Sequence, residues 1–289
     1  MSPTAAHRPG TRLVGGPRHA LGEVGSTQDE LARLAAAGAP EGTVVTAAHQ
    51  TGGRGRRGRT WWDASGDSLL LSILLRPAMP AAAAPVLSLV AAVAVAEAVA
   101  AAAGVAAGIR WPNDLLVGEG KLCGILAEAA TDGAGGVEHV RLGIGLNVNQ
   151  AEFPPPIRAL ATSLRLVSGR AHDRERVLAE VLAALDRRYR EFVAEGFAPA
   201  RAEWRRRSVT LGRWIRVAGG EPVLVEDVDG DGALLGRDAA SRPVRLAAGE
   251  PSDVAPPDAA RPATRPDAAA AGPDAAAAAH ARADRGRER

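Results

Sequence analysis

The sequence contains almost no lysine. Lys121 is the single lysine among 35 lysine and arginine residues, so arginine serves at nearly every position that carries a positive charge. A lysine ammonium is a compact point charge on a slim stem, whereas the arginine guanidinium is a planar fork. Lys121 therefore indicates a position where arginine cannot substitute, such as a narrow site beside a cluster of oxygen atoms.

Cysteine and aromatic residues are scarce as well. The one cysteine, Cys123, excludes an internal disulfide and is typical of a reducing compartment. Aromatic residues make up 3% of the chain, and five of them are tryptophan. The first residues are polar and rich in proline, glycine and arginine, unlike a secretory signal, so we expect a cytoplasmic protein.

Neither sign of charge dominates the chain. The formal net charge is +2, so the sequence pI near 9.3 reflects local basic clusters and not a positive field over the whole protein. One apolar run, residues 81–107, is long enough to need a check for a membrane span. It consists mostly of alanine and carries Glu97, which favours a buried helix because alanine contributes little to membrane insertion.

The order of sequence patterns predicts four unequal parts. Residues 1–20 are expected to be a flexible lead. Helix and strand patterns fill residues 21–207, which we expect to form the main folded domain. Residues 208–250 contain short alternating strands and predict a small barrel-like β unit. Residues 251–289 are mainly alanine, proline, arginine and aspartate, and this composition predicts a disordered tail.

The string GGRGRRGR, residues 52–59, lies between two predicted strands. Its glycines allow backbone amides to approach an anion closely, and its arginines supply charge and forked donors. These properties suit a lid over an anionic ligand. A solvated basic loop and a nucleic-acid contact are the alternatives that the string alone leaves open.

A second string, WPND at residues 111–114, precedes Lys121. Asn113 and Asp114 are ordinary turn residues, so a purely structural role is one interpretation. In the functional interpretation, Asn113 contacts a ligand and Asp114 lies near a metal-bound phosphate. Cys123 is expected to point to the same face as Lys121 and to be a small packing residue, because no histidine partner is evident nearby.

Polar and small residues at the ends of other predicted elements complete the pattern. Ser26, Thr27 and Gln50 serve as helix caps or loop residues, and they are also suited to bind a polar ligand head group. The strand GIGLNVN, residues 143–149, contains small residues against which a ligand would lie flat.

Taken together, five strings in order resemble the biotin protein ligases, also called biotin–[acetyl-CoA-carboxylase] ligases. The resemblance covers roughly residues 21–250, and its motifs are EVGSTQDEL (23–31), QTGGRGRRGRTW (50–61), WPNDLL (111–116), KLCGILAE (121–128) and GIGLNVN (143–149). It implies an α+β fold of the class II synthetase-like, biotin–lipoate ligase type. This fold has a mixed central sheet with helices on one side and a small C-terminal SH3-like barrel.

The resemblance also implies that residues 21–207 are the catalytic domain that binds biotin and ATP, and it implies a reaction. Biotin and ATP, with Mg²⁺, would give biotinyl-AMP, and a lysine of a biotin carboxyl carrier protein would then take the biotinyl group. No metal site of the protein's own is implied, because Mg²⁺ would arrive mainly with ATP. We expect neither nucleic acid nor a membrane as a partner.

Site residues carry over from the family position by position. The residues that resemble biotin contacts are Ser26, Thr27, Gln50, Gly53, Arg54, Gly55, Trp61, Lys121 and Gly124. The residues that resemble ATP or adenylate contacts are Arg56, Arg57, Gly58, Arg59, Asn113, Lys121 and Asn147. The resemblance implies a catalytic role for Lys121 between carboxylate and phosphate, for Arg56 on the phosphate and for Asp114 on the carrier amine.

The chain departs from the family pattern in three ways. Gln28 stands where the family often has asparagine, and Arg110 stands where it often has lysine, which weakens the expectation that Arg110 contacts the triphosphate. The residues before Gly22 are too few for the winged DNA-binding domain of some relatives, so we expect no repressor role.

Two alternative functions remain open from the sequence. A lipoate ligase or octanoyl transferase has the same fold, although the glycine-arginine string and the polar pocket residues favour biotin. A nucleic-acid-binding module would use the arginines, but the near-neutral charge and the adjacent apolar strand argue against it.

Overall fold

The computed structural model describes residues 12–64, 66–217 and 219–255, and they form two sheets and five α-helices. The larger sheet has seven strands in the order β1-β2-β3-β7-β6-β5-β4. Strands β1 and β2 are parallel, and all other neighbours are antiparallel. The strands are β1 Arg18–Val24, β2 Val44–Gln50, β3 Ser68–Leu75, β4 Gly108–Arg110, β5 Asp114–Val117, β6 Gly120–Thr131 and β7 Val137–Asn147.

Strand β3 lies in the middle of this sheet and is buried along its whole length. Its sequence, SLLLSILL, is apolar on both faces because both faces of the sheet are covered at this point. Ile73 packs into the main core with Val44, and Leu74 packs into a second, smaller core with Val45. The two faces of the sheet therefore have separate cores.

The main core lies between the sheet and the longer helices. Helix α2, Val86–Ala103, is packed against α4, Arg174–Glu195, and against α5, Ala198–Arg207. The segment 81–103 is long and apolar enough to cross a membrane, but 72% of its apolar window is buried inside the fold, which is typical of a core helix. Its one charged residue, Glu97, is paired with Arg187 and Arg188 of α4.

A short helix covers part of the opposite face. Helix α1, Thr27–Ala36, begins at the N-cap Ser26, whose side chain accepts a hydrogen bond from the backbone of Gln28. Leu31 and Ala35 pack with Val45 and Leu74 in the second core. The predicted mixed sheet is confirmed, and α1 is the exception to a helical layer on one side.

The C-terminal unit is a five-stranded antiparallel sheet with the order β11-β10-β9-β8-β12. It agrees with the predicted small β domain. Trp111 joins it to the larger domain because its indole N–H donates to the Gly232 carbonyl at 2.9 Å. The strands are β8 Trp214–Val217, β9 Val223–Val228, β10 Leu234–Asp238, β11 Pro243–Leu246 and β12 Pro251–Asp253. The remaining helix is α3, Leu164–Ser168.

Both ends of the predicted domain plan need correction. Residues 12–20 are not a flexible lead, since Leu13 and Val14 are buried and their amides donate to Asp186 of α4 at 2.6 and 3.0 Å. Strand β1 begins at Arg18 inside the predicted lead. At the other end, β12 extends the β unit past residue 250. The rest of the predicted lead, residues 1–11, and most of the predicted tail, residues 256–289, lie outside the described residues.

Candidate active site

A cavity of about 280 Å³ opens on the sheet face opposite α2. The N-terminus of α1, the glycine-arginine loop (residues 52–59), strands β6 and β7 and the segment 153–161 surround it. Of the predicted site residues, those lining this cavity are Ser26, Thr27, Gln50, Arg54, Gly55, Arg56, Arg59, Trp61, Asn113, Lys121, Gly124 and Asn147. The fold thus brings together residues that are far apart in the sequence.

Glycines form the floor of the cavity. Gly124 of β6 and Gly145 of β7 are cross-strand partners. A Cβ atom on Gly124 would lie 2.8 Å from the Trp61 ring, and one on Gly145 would lie 2.5 Å from it. Any larger residue at these positions would displace the indole, so the close approach of Trp61 to the sheet requires glycine at both.

The end of the cavity at α1 is polar and buried. The backbone amide and the hydroxyl of Thr27 donate to the Gln50 Oε1 atom at 2.7 and 3.0 Å. The Thr27 hydroxyl also lies 2.8 Å from the Ser72 hydroxyl of β3. Because the N-terminus of a helix carries partial positive charge, this end favours a ligand with electronegative atoms.

Gln28 extends this polar region across the sheet. Its amide nitrogen donates to the carbonyls of Leu126 and Arg141, both at 3.2 Å, and so joins β6 to β7. The side chain lies over Gly143, where a Cβ would come within 3.0 Å of it. Glutamine is longer than the asparagine that the family often has at this position, and its side chain therefore has a structural role that the sequence did not indicate.

Lys121 lies towards the other end of the cavity. Its ammonium is 2.7 Å from the Asp114 carboxylate and 5.6 Å from the centre of a Trp61 ring. About a third of its side chain is exposed. A cation with a single carboxylate partner in a partly buried cavity attracts a further anion strongly, since low polarity strengthens charge interactions.

The WPND turn is fixed to β6. The Asn113 side-chain amide donates to the Ile125 carbonyl at 2.7 Å, and the Ile125 amide donates back to the Asn113 carbonyl at 3.0 Å. The peptide bond between Trp111 and Pro112 is cis. The turn places Asp114 at the start of β5, directly opposite Gly124.

The glycine-arginine loop folds back on itself beside the cavity. Arg54 and Thr60 form an isolated bridge, and the Trp61 amide donates to the Gly53 carbonyl at 2.9 Å. Arg57 takes a left-handed conformation with φ of 57°, which is uncommon for a residue other than glycine. Of the predicted site residues, Gly53, Arg57, Gly58 and Asp114 are not among those that line the cavity.

The loop arginines already have protein partners. Arg54 makes a two-pronged ion pair with Asp29 of α1, with both distances at 2.7 Å. Arg56 donates to the Gly249 carbonyl at 3.2 Å, and Arg59 pairs with Glu250. Burial lowers the pKa of Arg56, because loss of contact with water disfavours the charged form of its guanidinium.

The ends of the loop are joined by a carboxylate that the sequence did not single out. Asp63 is buried. Its carboxylate lies 2.9 Å from the Nδ1 atom of His49 and accepts a hydrogen bond from the backbone amide of Gln50 at 3.3 Å.

The sequence also did not indicate the segment 153–161 as part of the site. Phe153 lines the cavity, and the centre of its ring lies 5.5 Å from the centre of the Trp62 ring. The proline-rich sequence of this segment has no helix or strand period, and the apolar side chains alone would have been a weak signal.

The predicted orientation of Cys123 is wrong, whereas the predicted ligand contact of Asn147, which lines the cavity, stays a prediction. The Asn147 amide nitrogen donates to the carbonyls of Lys121 and Thr162, and its oxygen accepts from Gln150, so its polar atoms are already occupied. Cys123 does not share a face with Lys121. It packs in the main core, where burial raises the pKa of its thiol, and this agrees with a packing role.

Residues 21–147 match the model of the biotin/lipoate A/B protein ligase family. The biotin–[acetyl-CoA-carboxylase] ligase of Mycobacterium tuberculosis is 38% identical over 239 residues, which cover 80% of this chain and 86% of that protein. The bifunctional ligase/repressor BirA of Bacillus spizizenii is 40% identical over 195 residues, covering 67% of this chain and 60% of that protein.

A solved structure is similar over most of the chain. The biotin protein ligase from Aquifex aeolicus in complex with biotin and ATP superposes with a TM-score of 0.72 at 29% identity, covering 83% of this chain and 99% of that one. The fold and the cavity thus define a protein of the biotin and lipoate ligase class. Within that class, the chain belongs to the biotin protein ligase family.

Proposed function

We propose that the protein is an ATP-dependent ligase that activates biotin as biotinyl-AMP and transfers it to a lysine of a biotin carboxyl carrier protein. The observation that carries this proposal is the layout of the cavity. A polar end at Thr27 and Gln50 is separated by a glycine floor from a cationic end at Lys121. An elongated ligand with a polar ring at one end and a carboxylate at the other fits this layout.

The first half-reaction joins two anions. An oxygen of the biotin carboxylate attacks the α-phosphorus of ATP, a new O–P bond forms, and the bond to pyrophosphate breaks. The enzyme needs no nucleophile of its own, so its main tasks are to hold the reactants in line and to offset their repulsion. Lys121, with only Asp114 as its ionic partner among the described residues, supplies the charge between the two groups.

The loop supplies the second cation and the cover. Arg56 lines the same cavity as Lys121 and can add its positive charge to that of the lysine. Backbone amides of the glycine-rich segment add donors for the phosphate. The Trp61 ring lies directly over the glycines of the cavity floor. A closed site keeps water away from the mixed anhydride.

In the second half-reaction, the carrier amine attacks the acyl carbon of biotinyl-AMP, an amide bond forms, and AMP leaves. Asp114 is the carboxylate at this end of the cavity and is proposed to orient the incoming amine. The amine attacks in its neutral form, so Asp114 accepts a hydrogen bond from it while still paired with Lys121, and the proton that the amine loses as the amide forms passes to solvent.

Mg²⁺ is proposed to arrive with ATP. Within the described residues, no group of three or more histidine, cysteine or acidic side chains is arranged to hold a metal ion. The residues near the cationic end fit a metal held by phosphate oxygens better than one held by the protein. When bound, Mg²⁺ would offset the charge of the leaving pyrophosphate. A cytoplasmic location is part of the same proposal, since the carrier and ATP must meet the enzyme there.

The decisive experiment is ATP–pyrophosphate exchange with the full chain. Exchange that depends on biotin and is absent with lipoate would support the proposal. Exchange with lipoate alone would favour the alternative ligase, and no exchange with either would overturn adenylation. Transfer is then checked by the mass of a biotin carboxyl carrier domain and of a variant in which its acceptor lysine is replaced by arginine. A mobility-shift assay with DNA and RNA tests the remaining alternative.

A further inference from the structure

Three arginines of the larger domain converge on one short segment of the C-terminal β unit. The Arg56 guanidinium donates to the Gly249 carbonyl at 3.2 Å, and Arg59 forms an ion pair with Glu250. Arg110 of β4 donates to the Pro251 carbonyl at 3.0 Å. We call residues 249–251 the C-terminal dock.

The C-terminal dock is held firmly within the β unit. Strand β12 begins at Pro251 and pairs with β8, where Pro251 is the partner of Val217. Gly249 has φ of 142°, and a Cβ atom there would collide with the Val217 side chain. Only glycine therefore allows the chain to pass this close to β8 and present its carbonyl to Arg56.

The tip of the glycine-arginine loop has few other restraints. Among the described residues, the side chains at positions 56–59 make their hydrogen bonds and ion pairs only with the C-terminal dock. Three arginines lie within four residues and repel one another, and glycine adds conformational freedom. An anchor outside the loop is needed to keep Arg56 at the cavity.

We propose that the C-terminal dock holds the glycine-arginine loop over the nucleotide end of the cavity, and that Glu250 is a positioning residue for adenylation. Glu250 neutralises Arg59, and the Gly249 carbonyl orients Arg56 without removing its positive charge. Arg56 thus stays charged and faces the place where the α-phosphate is expected. This role of Glu250 in catalysis rests on the proposed function, whereas its restraint of the loop does not.

The first test measures the rate at which trypsin cleaves the glycine-arginine loop in the absence of any ligand. Trypsin cleaves after the loop arginines, and the rate of cleavage reports how often the tip is released. For Glu250→Gln we expect cleavage about two- to fivefold faster, the size expected for the loss of a partly exposed ion pair. Asp253→Asn is the matched control, since Asp253 lies on β12 and pairs with Arg213 of the β unit instead of the loop.

Comparison of the cleavage rates of Glu250→Gln and Asp253→Asn decides whether the C-terminal dock restrains the loop. Faster cleavage in Glu250→Gln with unchanged cleavage in Asp253→Asn supports the dock. Equal cleavage in Glu250→Gln and the unmodified protein would overturn it. Because no substrate is present, this result stands whether or not the protein ligates biotin.

The second test asks whether the restraint matters for catalysis. In ATP–pyrophosphate exchange, we expect Glu250→Gln to raise KM for ATP by about two- to fivefold and to leave KM for biotin unchanged. In an Arg59→Ala background, the further change Glu250→Gln should not raise the KM for ATP again, because the pair is already broken. Unchanged KM for ATP, or fully additive effects, would contradict the positioning role. Absence of exchange in the unmodified enzyme would instead contradict the proposed function.

Discussion

The two faces of strand β7 differ in the size of their side chains. Ile144 and Leu146 point into the main core and are almost completely buried. Gly143 and Gly145 alternate with them and form part of the cavity floor. Successive residues of a strand point to opposite faces, so one stretch of chain supports the core with one face and the ligand site with the other. This division implies that folding and ligand binding respond to different substitutions.

The largest expected effect lies on the cavity face, at Lys121. Lys121→Arg keeps the charge but puts a planar fork between Asp114 and the Trp61 ring. We expect biotin-dependent ATP–pyrophosphate exchange to fall by about 10²- to 10³-fold, the effect of removing one pre-positioned group that stabilises transition-state charge. The thermal midpoint should stay unchanged. Near-normal exchange in this variant would show that any cation is sufficient here.

A substitution on the core face should affect stability instead. Leu146→Ala removes a buried side chain from the main core, and the free energy of unfolding should fall by about 2–5 kcal/mol. Urea titration measures this loss, and KM for biotin should stay unchanged in protein that remains folded. A large rise in KM for biotin, without a loss of stability, would mean that the two faces are not separate.

Adding a single methyl group on the cavity face should weaken biotin binding, in contrast to the core substitution, which should lower stability. Gly145→Ala would force the Trp61 ring away from the floor and weaken biotin binding by about 1–3 kcal/mol, the usual cost of overpacking. Titration calorimetry measures the affinity. Gly22→Ala is the control, because no atom lies within 4 Å of its added Cβ. Equal binding by both variants would show that the floor has spare room.

The smallest expected effect is on the retention of the intermediate by the loop over the cavity. Arg56→Gly should loosen the closed site and let biotinyl-AMP escape, and the escaped adenylate would biotinylate albumin at many lysines. The enzyme itself offers only its N-terminal amine and Lys121, so it should remain almost unlabelled. Intact-mass measurement of both proteins, after incubation with biotin and ATP, checks this. Unlabelled albumin, with adenylate formation confirmed, would show that Arg56 does not retain the intermediate.

Much of the fold was predictable because its signals are local. The N-cap Ser26, the continuous apolar run of β3 and the alanine-rich α2 each follow from neighbouring residues. The cavity face of β7 was predictable too, since its glycines stand out against the aliphatic residues between them. The gathering of residues 26, 27, 50, 121 and 124 was expected from the family resemblance and not from any local pattern.

Other features depend on partners that are distant in the sequence. Leu13 and Val14 are ordered through Asp186, which lies on a helix near the other end of the larger domain. The polar atoms of Asn147 are occupied by Lys121, Thr162 and Gln150. The sequence marked none of these pairs, because no periodicity or turn signal connects residues across the fold.

The position of Lys121 in the cavity, paired with Asp114, has a consequence for how such an enzyme can be modified in a cell. Acetylation, methylation and ubiquitin attachment act on lysine side chains, and this chain has one. That lysine is partly shielded by Asp114 and Trp61. An acetyl group there would remove the charge that the proposed adenylation needs. Any modification of a lysine side chain would therefore be an all-or-none event at the reaction centre.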